Sequence, residues 1–287
     1  MRLRRSESVN PTIGVTDMYE NFWQLERKPF ESSYDQVDYY PSEVHQGALL
    51  KLRYAIENRR AAALLCGTAG VGKSLLVHLL ETQLGDEYRP FVYLRYPRLP
   101  EDQLLAVLAD ELTGDRSNET PTCHVSLQRI QQTLQNNVQQ DGHAVIAIDE
   151  THLLSDASSM ETLRLLLNFQ NNGNAMFTLL LVGQSSVLAT LERTPQLDSC
   201  VSMKCLLRPF VLEETVSYIN HRLKAARSQR PIFDNSAMEA LHHLSRGVPR
   251  ELNRLADLAL LIGFAEEKVQ IRAAEVEAIV DELVRAA

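Results

Sequence analysis

The chain of 287 residues carries a formal net charge of −8, and 45% of its residues are hydrophobic. Its length suits a core domain with a smaller companion, and its apolar share can fill a sizeable interior. The acidic balance offers no global field for nucleic acid or an anionic membrane, and no apolar stretch reaches the ~18 residues of a membrane-spanning helix.

Residues 1–17 read as a flexible tail, charged at the start and without the apolar segment of a secretory signal; Met18 is a candidate start. Met18 to Glu31 is rich in aromatics and holds the only tryptophan, Trp23. It reads first as a packed arm, with stacking on an adenine ring as the other use of the same side chains. Ser42 suits the N-cap of a helix over about 43–58, whose Ala48, Leu49, Leu52, Ala55 and Ile56 share one face. The apolar run from Ala61 to Cys66 reads as a first strand.

That strand meets Gly67-Thr68-Ala69-Gly70-Val71-Gly72-Lys73-Ser74-Leu75, which fits G-x-x-x-x-G-K-[ST] with a helical pattern after it. Gly67, Gly70 and Gly72 let the main chain take positive φ and pass close to a ligand. The loop amides and the open N-terminus of the next helix then suit a polyphosphate. Lys73 can reach its β- and γ-phosphate oxygens, and the Ser74 hydroxyl can ligate Mg²⁺. The plainer reading, a glycine turn ending in a surface lysine, does not account for the strand and helix on either side.

The helix after the loop runs to about Leu84, and Phe91–Tyr96 reads as a second strand closed by Pro97. Helices over about 101–112 and 126–140 flank a polar loop, Gly114–Thr122. Ala144–Ile148 is an unbroken apolar run, as expected of a strand covered on both faces. It delivers Asp149 and Glu150 to the carboxyl ends of the strands, where ligands gather in sheets of this kind. Asp149 can hold Mg²⁺ through its water shell, and Glu150 can orient and activate an attacking water. An acidic helix start favoured by the helix dipole is the alternative for the pair.

His152 fits either a link from this site to its neighbours or a packed polar side chain. A helix over about 158–171 leads to a fourth strand, Met176–Val182, and then to Gln184. The Gln184 amide can bond both the γ-phosphate and the attacking water, or simply cap a loop. A helix over about 186–193 and a strand over about 201–207 complete the pattern.

From Pro209 only helices are expected, over about 213–227, 236–245, 250–265 and 273–286. Arg250 stands at a helix start, where the dipole mildly disfavours a cation, and can report on bound nucleotide. The pattern predicts an α/β P-loop NTPase, with a five-stranded parallel sheet between helices at residues 18–209 and a small all-helical lid domain at 210–287. Cys66, Cys123, Cys200 and Cys205 contain no C-x-x-C pair, so zinc and a disulfide framework are not indicated and a reducing, cytoplasmic setting is expected.

Further stretches carry a resemblance: Met18-Tyr19 to Pro29-Phe30, Ser42 to Ala55 with His45, Asp149-Glu150-x-His152-Leu153-Leu154 and Val182-Gly183-Gln184. So do Glu214-Thr215-x-x-Tyr218-Ile219-x-x-Arg222-Leu223 and Gly247-x-Pro249-Arg250-x-x-Asn253. With the phosphate loop they make the chain resemble AAA+ ATPases of the general secretion pathway protein A type. The resemblance implies ATP with Mg²⁺, the roles given above for Lys73, Ser74, Asp149 and Glu150, and Gln184 and Arg250 as first and second sensors. It also implies a homo-oligomer working on a protein client that the sequence does not name.

Two departures stand out. The family usually presents an arginine to the neighbouring subunit before the fifth strand, and Cys200 stands in that position here, with Lys204 and Arg193 as candidate substitutes. A lysine is not equivalent to a planar guanidinium. Secretion proteins of this type also often continue into a membrane span and a wall-binding region. This sequence ends at Ala287 with neither, so a direct role in transport across the envelope draws weak support. Two other functions remain in view: a DNA-associated, transposition-type regulator, suggested by the basic run His221–Arg230, and a nucleotide-gated scaffold with little hydrolysis.

Overall fold

In a computed structural model, which describes residues 19–31, 36–115, 121–154 and 157–285, five strands form one sheet. They are β1 (Ala62–Gly67), β2 (Phe91–Leu94), β3 (Ala144–Ile148), β4 (Phe177–Gly183) and β5 (Val201–Leu207). All pairings are parallel, in the order β2-β3-β4-β1-β5. The three inner strands are buried along their whole length, which is why their sequences read as continuous apolar runs.

Alternate residues of those strands enter two separate cores. Leu64, Ile146, Ile148 and Leu181 face helices α3 (Glu101–Thr113), α4 (Cys123–Gln139) and α5 (Ala157–Leu166). Leu65, Val145, Ala147 and Val182 face α1 (Glu43–Glu57) and α2 (Lys73–Gln83). The period-2 alternation of a strand thus supplies both layers from one stretch of chain. Short helices α6 (Val187–Glu192) and α7 (Pro195–Asp198) lead into β5.

Four elements differ from expectation. The second strand stops at Leu94, two residues early. The helix expected to reach Asn171 ends at Leu166, and Gln170–Asn171 pairs antiparallel with Asn174–Ala175. Asn172 and Gly173 between them have φ of 52° and 80°, the two positive values that a tight hairpin turn needs. The short helix α7 has no counterpart in the sequence reading. The tail expected over residues 1–17 and most of the loop Gly114–Thr122 lie outside the described residues.

The chain divides into two units, Pro41–Pro209 and Met1–Tyr40 with Phe210–Ala287. The second contains α8 (Leu212–Ala225), α9 (Asn235–Ser245), α10 (Pro249–Ala265) and α11 (Ala273–Arg285). The aromatic arm groups with the helices and not with the sheet, where a division at 18–209 placed it. The reason is burial. Tyr19, Trp23, Leu25 and Phe30 share a core with Phe210, Tyr218, Ile219, Leu252 and Leu260, and the Trp23 indole N–H donates to the Leu260 carbonyl at 2.9 Å. The arm's aromatics are packed.

Arg222 holds the rest of the arm. Only 4% exposed, it donates to the carbonyls of Pro29 (2.5 Å) and Glu31 (2.6 Å), groups about 190 residues away in sequence. Gly247 carries φ +69°, and a Cβ there would sit 2.0 Å from the Phe210 carbonyl oxygen, so this position admits only glycine. Tyr218 donates to the Asn253 side chain at 2.6 Å. The motif residues Tyr218, Arg222, Gly247 and Asn253 therefore build the helical unit.

Candidate nucleotide site

The site lies where β1, β3 and β4 end, because every strand of the parallel sheet points its carboxyl end the same way. β1 runs directly into the glycine loop, and α2 begins at Lys73 with Gly72 as its N-cap. Gly70 and Gly72 have φ of 81° and 94°. A Cβ on Gly67 would lie 2.5 Å from the Leu207 carbonyl oxygen, so the loop can leave the sheet only as glycine. Thr68 and Ala69 are exposed at the tip, while Val71 is fully buried and anchors the loop beneath. Leu75, half-buried, is the third residue of α2.

The N–H groups of Gly70, Val71 and Gly72 have no protein acceptor among the described residues. The first turn of a helix adds further donors without intrahelical partners. Together they make a concave set of positive dipoles suited to an anion. The Lys73 ammonium curves back along the loop and donates to the carbonyls of Gly67 (3.0 Å) and Thr68 (2.9 Å). It is held at the rim of the same concavity.

Asp149 follows β3 and faces the loop. The Ser74 hydroxyl donates to its Oδ2 at 3.0 Å, and the Tyr93 hydroxyl from β2 donates to the same oxygen at 2.5 Å. Its other oxygen accepts the Glu150 N–H at 2.8 Å. A serine hydroxyl against a carboxylate, beside a row of amides, is a donor set that fits a magnesium–triphosphate pair. Ser74 and Asp149 are the side chains that would hold Mg²⁺.

Glu150 has φ of 51°, a left-handed conformation that turns its half-exposed carboxylate out of the strand direction. Its Oε2 lies 3.4 Å from His152 Nδ1, and the same nitrogen is 3.4 Å from the Gln184 N–H. His152 thus bridges the ends of β3 and β4. Gln184 follows β4, exposed, at this same end of the sheet. Thr151 ties the two strand ends underneath: its hydroxyl lies 2.8 Å from the Ile148 carbonyl and 2.9 Å from the Val182 carbonyl, and it accepts the Val182 N–H at 3.2 Å.

Lys73, Ser74, Asp149 and Glu150 are brought to one end of the sheet with the loop residues 67–75. Arg250 belongs to the helical unit, where it opens α10 and lines a cavity with Lys28, Glu31, Asn253, Arg254 and Asp257. Cys200 is half-buried, its thiol directed at the Gln196 carbonyl. Lys204, a candidate substitute for the absent arginine, pairs with Asp198 of its own chain at 2.5 Å. Tyr93 and Thr151 escaped the sequence reading. Tyr93 is two residues before the register position of Asp149, across from Ala147, and only the β2–β3 pairing reveals that.

The fold and the glycine loop define a P-loop protein of the AAA+ class, and a family model described as an AAA domain matches residues 56–191. Solved structures with the same fold include an origin recognition complex from Drosophila bound to DNA, at TM-score 0.70 and 14% identity, covering 99% of this chain and 70% of that one. Another is the Aeropyrum pernix ORC2 protein in ADPNP–ADP complexes, at TM-score 0.64 and 17% identity, covering 90% and 71%. Within the AAA+ proteins the chain is similar to general secretion pathway protein A. It is 31% identical over 276 residues to general secretion pathway protein A of Aeromonas hydrophila, which covers 92% of this chain. The chain spans about half the length of that relative, 50%.

Proposed function

We propose that the protein binds ATP with Mg²⁺ and hydrolyses it, using the change of bound nucleotide to move the helical unit or a neighbouring copy. The observation that carries this reading is the Ser74–Asp149 contact at 3.0 Å beside loop amides without protein acceptors among the described residues. Bound Mg²⁺ would neutralise charge on the phosphate oxygens and fix their geometry. The chain's own groups do the rest: the loop amides and Lys73 bind the phosphates, Asp149 orients the Ser74 hydroxyl, and Glu150 takes the proton of the attacking water. Gln184 orders that water from the neighbouring strand end, and Arg250 reads the nucleotide from the helical unit. The general secretion pathway relative and the adenine-nucleotide complexes of a fold neighbour support ATP as the substrate.

Phosphate release by the wild type against Glu150→Gln tests the catalytic assignment, with a loss of about a hundredfold or more expected; equal rates would sink it. Lys73→Ala should abolish nucleotide binding in a titration, and unchanged affinity would refute the cradle. Cys200 and the Lys204–Asp198 pair favour a second reading, a nucleotide-gated scaffold that binds ATP and turns it over slowly. Tight binding with negligible phosphate release by the wild type would select it.

We place the protein in the cytoplasm as a homo-oligomer acting on a protein client. All four cysteines are free, and no described helix is long and apolar enough to cross a membrane. Mass measurement with and without ATP–Mg²⁺ tests assembly. Direct DNA binding is not favoured, because Arg222, Arg227 and Arg230 of the basic run engage the Pro29 carbonyl, Glu26 and the Phe22 carbonyl of the arm.

A further inference from the structure

We propose that His45 is a positioning residue of the phosphate cradle: it fixes the peptide between Val71 and Gly72 so that the Gly72 N–H is presented to the nucleotide. The inference rests on reading the loop as a nucleotide site. His45 lies in the first turn of α1, 26 residues before the group it holds, and is 4% exposed. Its Nε2 is 2.9 Å from the Val71 carbonyl oxygen. A carbonyl can only accept, so Nε2 must carry the proton.

The other ring nitrogen is set by the same logic. Nδ1 lies 2.6 Å from the Ser42 hydroxyl, and in the neutral ring it must accept that proton. Ser42 in turn accepts the His45 N–H at 3.3 Å as the N-cap of α1. With the Val71 carbonyl on Nε2 and the Ser42 hydroxyl on Nδ1, the neutral ring carries its proton on Nε2. Ser42 thus starts the helix and orients the ring that the helix carries.

The consequence for the loop follows from the planar peptide. In a trans peptide the carbonyl and the next residue's N–H point in opposite directions. Holding the Val71 oxygen against His45 turns the Gly72 N–H to the far side of that peptide, where it has no protein acceptor among the described residues. The ring also sits under Gly72: a Cβ there would lie 3.1 Å from Nε2, in addition to the strain of φ +94°. With the imidazole removed, this peptide could flip, and a carbonyl would face the phosphates in place of an N–H.

The test is an ATP–Mg²⁺ titration of the wild type, His45→Ala, His45→Gln and His45→Asn, each checked for a native circular dichroism spectrum. Gln can place an amide N–H where Nε2 lies; Asn reaches only the Nδ1 position. Ala and Asn should weaken binding by about tenfold, the scale of one hydrogen bond, while Gln recovers most of the affinity. Wild-type affinity in the Ala variant, or Gln no better than Ala, would overturn the proposal. No binding by the wild type would remove the cradle reading and this proposal with it; binding by the wild type but unaltered binding by Ala removes this proposal alone. If the variants fail to fold, ¹⁵N resonances of the wild-type imidazole decide. An Nε2–H tautomer supports the arrangement, and an Nδ1–H tautomer overturns it.

Discussion

The two units use polar side chains for opposite ends. In the unit Pro41–Pro209, Ser74 and Tyr93 meet on Asp149 at the carboxyl ends of the strands, while Lys73 and Thr151 bond main-chain carbonyls beside them. In the helical unit the polar groups sit within the structure and bind a remote segment. Arg222 and the Trp23 indole hold the arm against α8 and α10 through main-chain carbonyls. Asp38, itself buried, pairs with Arg27 at 2.8 Å beside them. The buried charges of the first unit lie at the end of the sheet beside the glycine loop; Arg222 of the second is consumed by a segment distant in the chain.

Arg222→Met breaks this comparison most directly. The substitution leaves the Pro29 and Glu31 carbonyls without this donor and takes a positive charge from beside Asp38, a loss on the order of 3 kcal/mol. Trp23 is the only tryptophan and is fully buried in the helical unit, so its fluorescence follows that unit. The urea midpoint read by Trp23 should fall steeply while ATP–Mg²⁺ affinity changes little. An unchanged midpoint would show that the arm is held by its aromatics alone.

The contrast also explains what could be read from sequence. The five strands, the glycine loop and the Asp149–Glu150 step were legible because each is a local pattern: an apolar run, a glycine spacing, a carboxylate closing a buried strand. The arm was recognised as packed, but its partner was not. The groups that hold Pro29 and Glu31 lie beyond residue 220, and no periodicity in Met18–Glu31 points there. Tyr93 was hidden for a related reason, since it meets Asp149 only after β2 pairs with β3. In the basic run His221–Arg230 the sequence shows charge but not burial: Arg222 is buried among arm carbonyls.

A smaller effect should separate the units by pH. His143, at the start of β3, is 1% exposed, and burial pushes its pKa down to about 4, with Arg59 adding to the shift. Thr178 donates to the Arg60 carbonyl at 2.7 Å, so His143 Nε2 must donate to the Thr178 hydroxyl at 2.9 Å. Nδ1 is buried without a partner among the described residues. A second proton would land there, in the dry. The unfolded chain protonates near pH 6.5 and the folded chain only near 4, so stability is full above 6.5 and is lost as pH falls between the two. The loss reaches at most about 3 kcal/mol. Urea melts followed by far-UV circular dichroism should show it in the wild type and lose most of it in His143→Gln. A pH dependence that the variant leaves intact would assign the effect to other groups.

The smallest effect belongs to the hairpin that the sequence reading passed over, although its signal was present. Asn172-Gly173 is the dipeptide that two-residue turns with two positive φ values prefer, and the helical reading from Ser158 runs on to Asn171, the residue before it, where the helix ends at Leu166. Nothing lies within 4 Å of a Cβ placed on Gly173, so Gly173→Ala meets no clash, and its cost is the left-handed backbone alone, about 1 kcal/mol. Gly173→Asn should cost less, because its short polar side chain tolerates that region. Circular dichroism midpoints ranked wild type, Asn, Ala would support the turn. An Ala variant as stable as the wild type would mean that the hairpin contributes nothing to the sheet unit, leaving the strand ends and their covering helices to hold it.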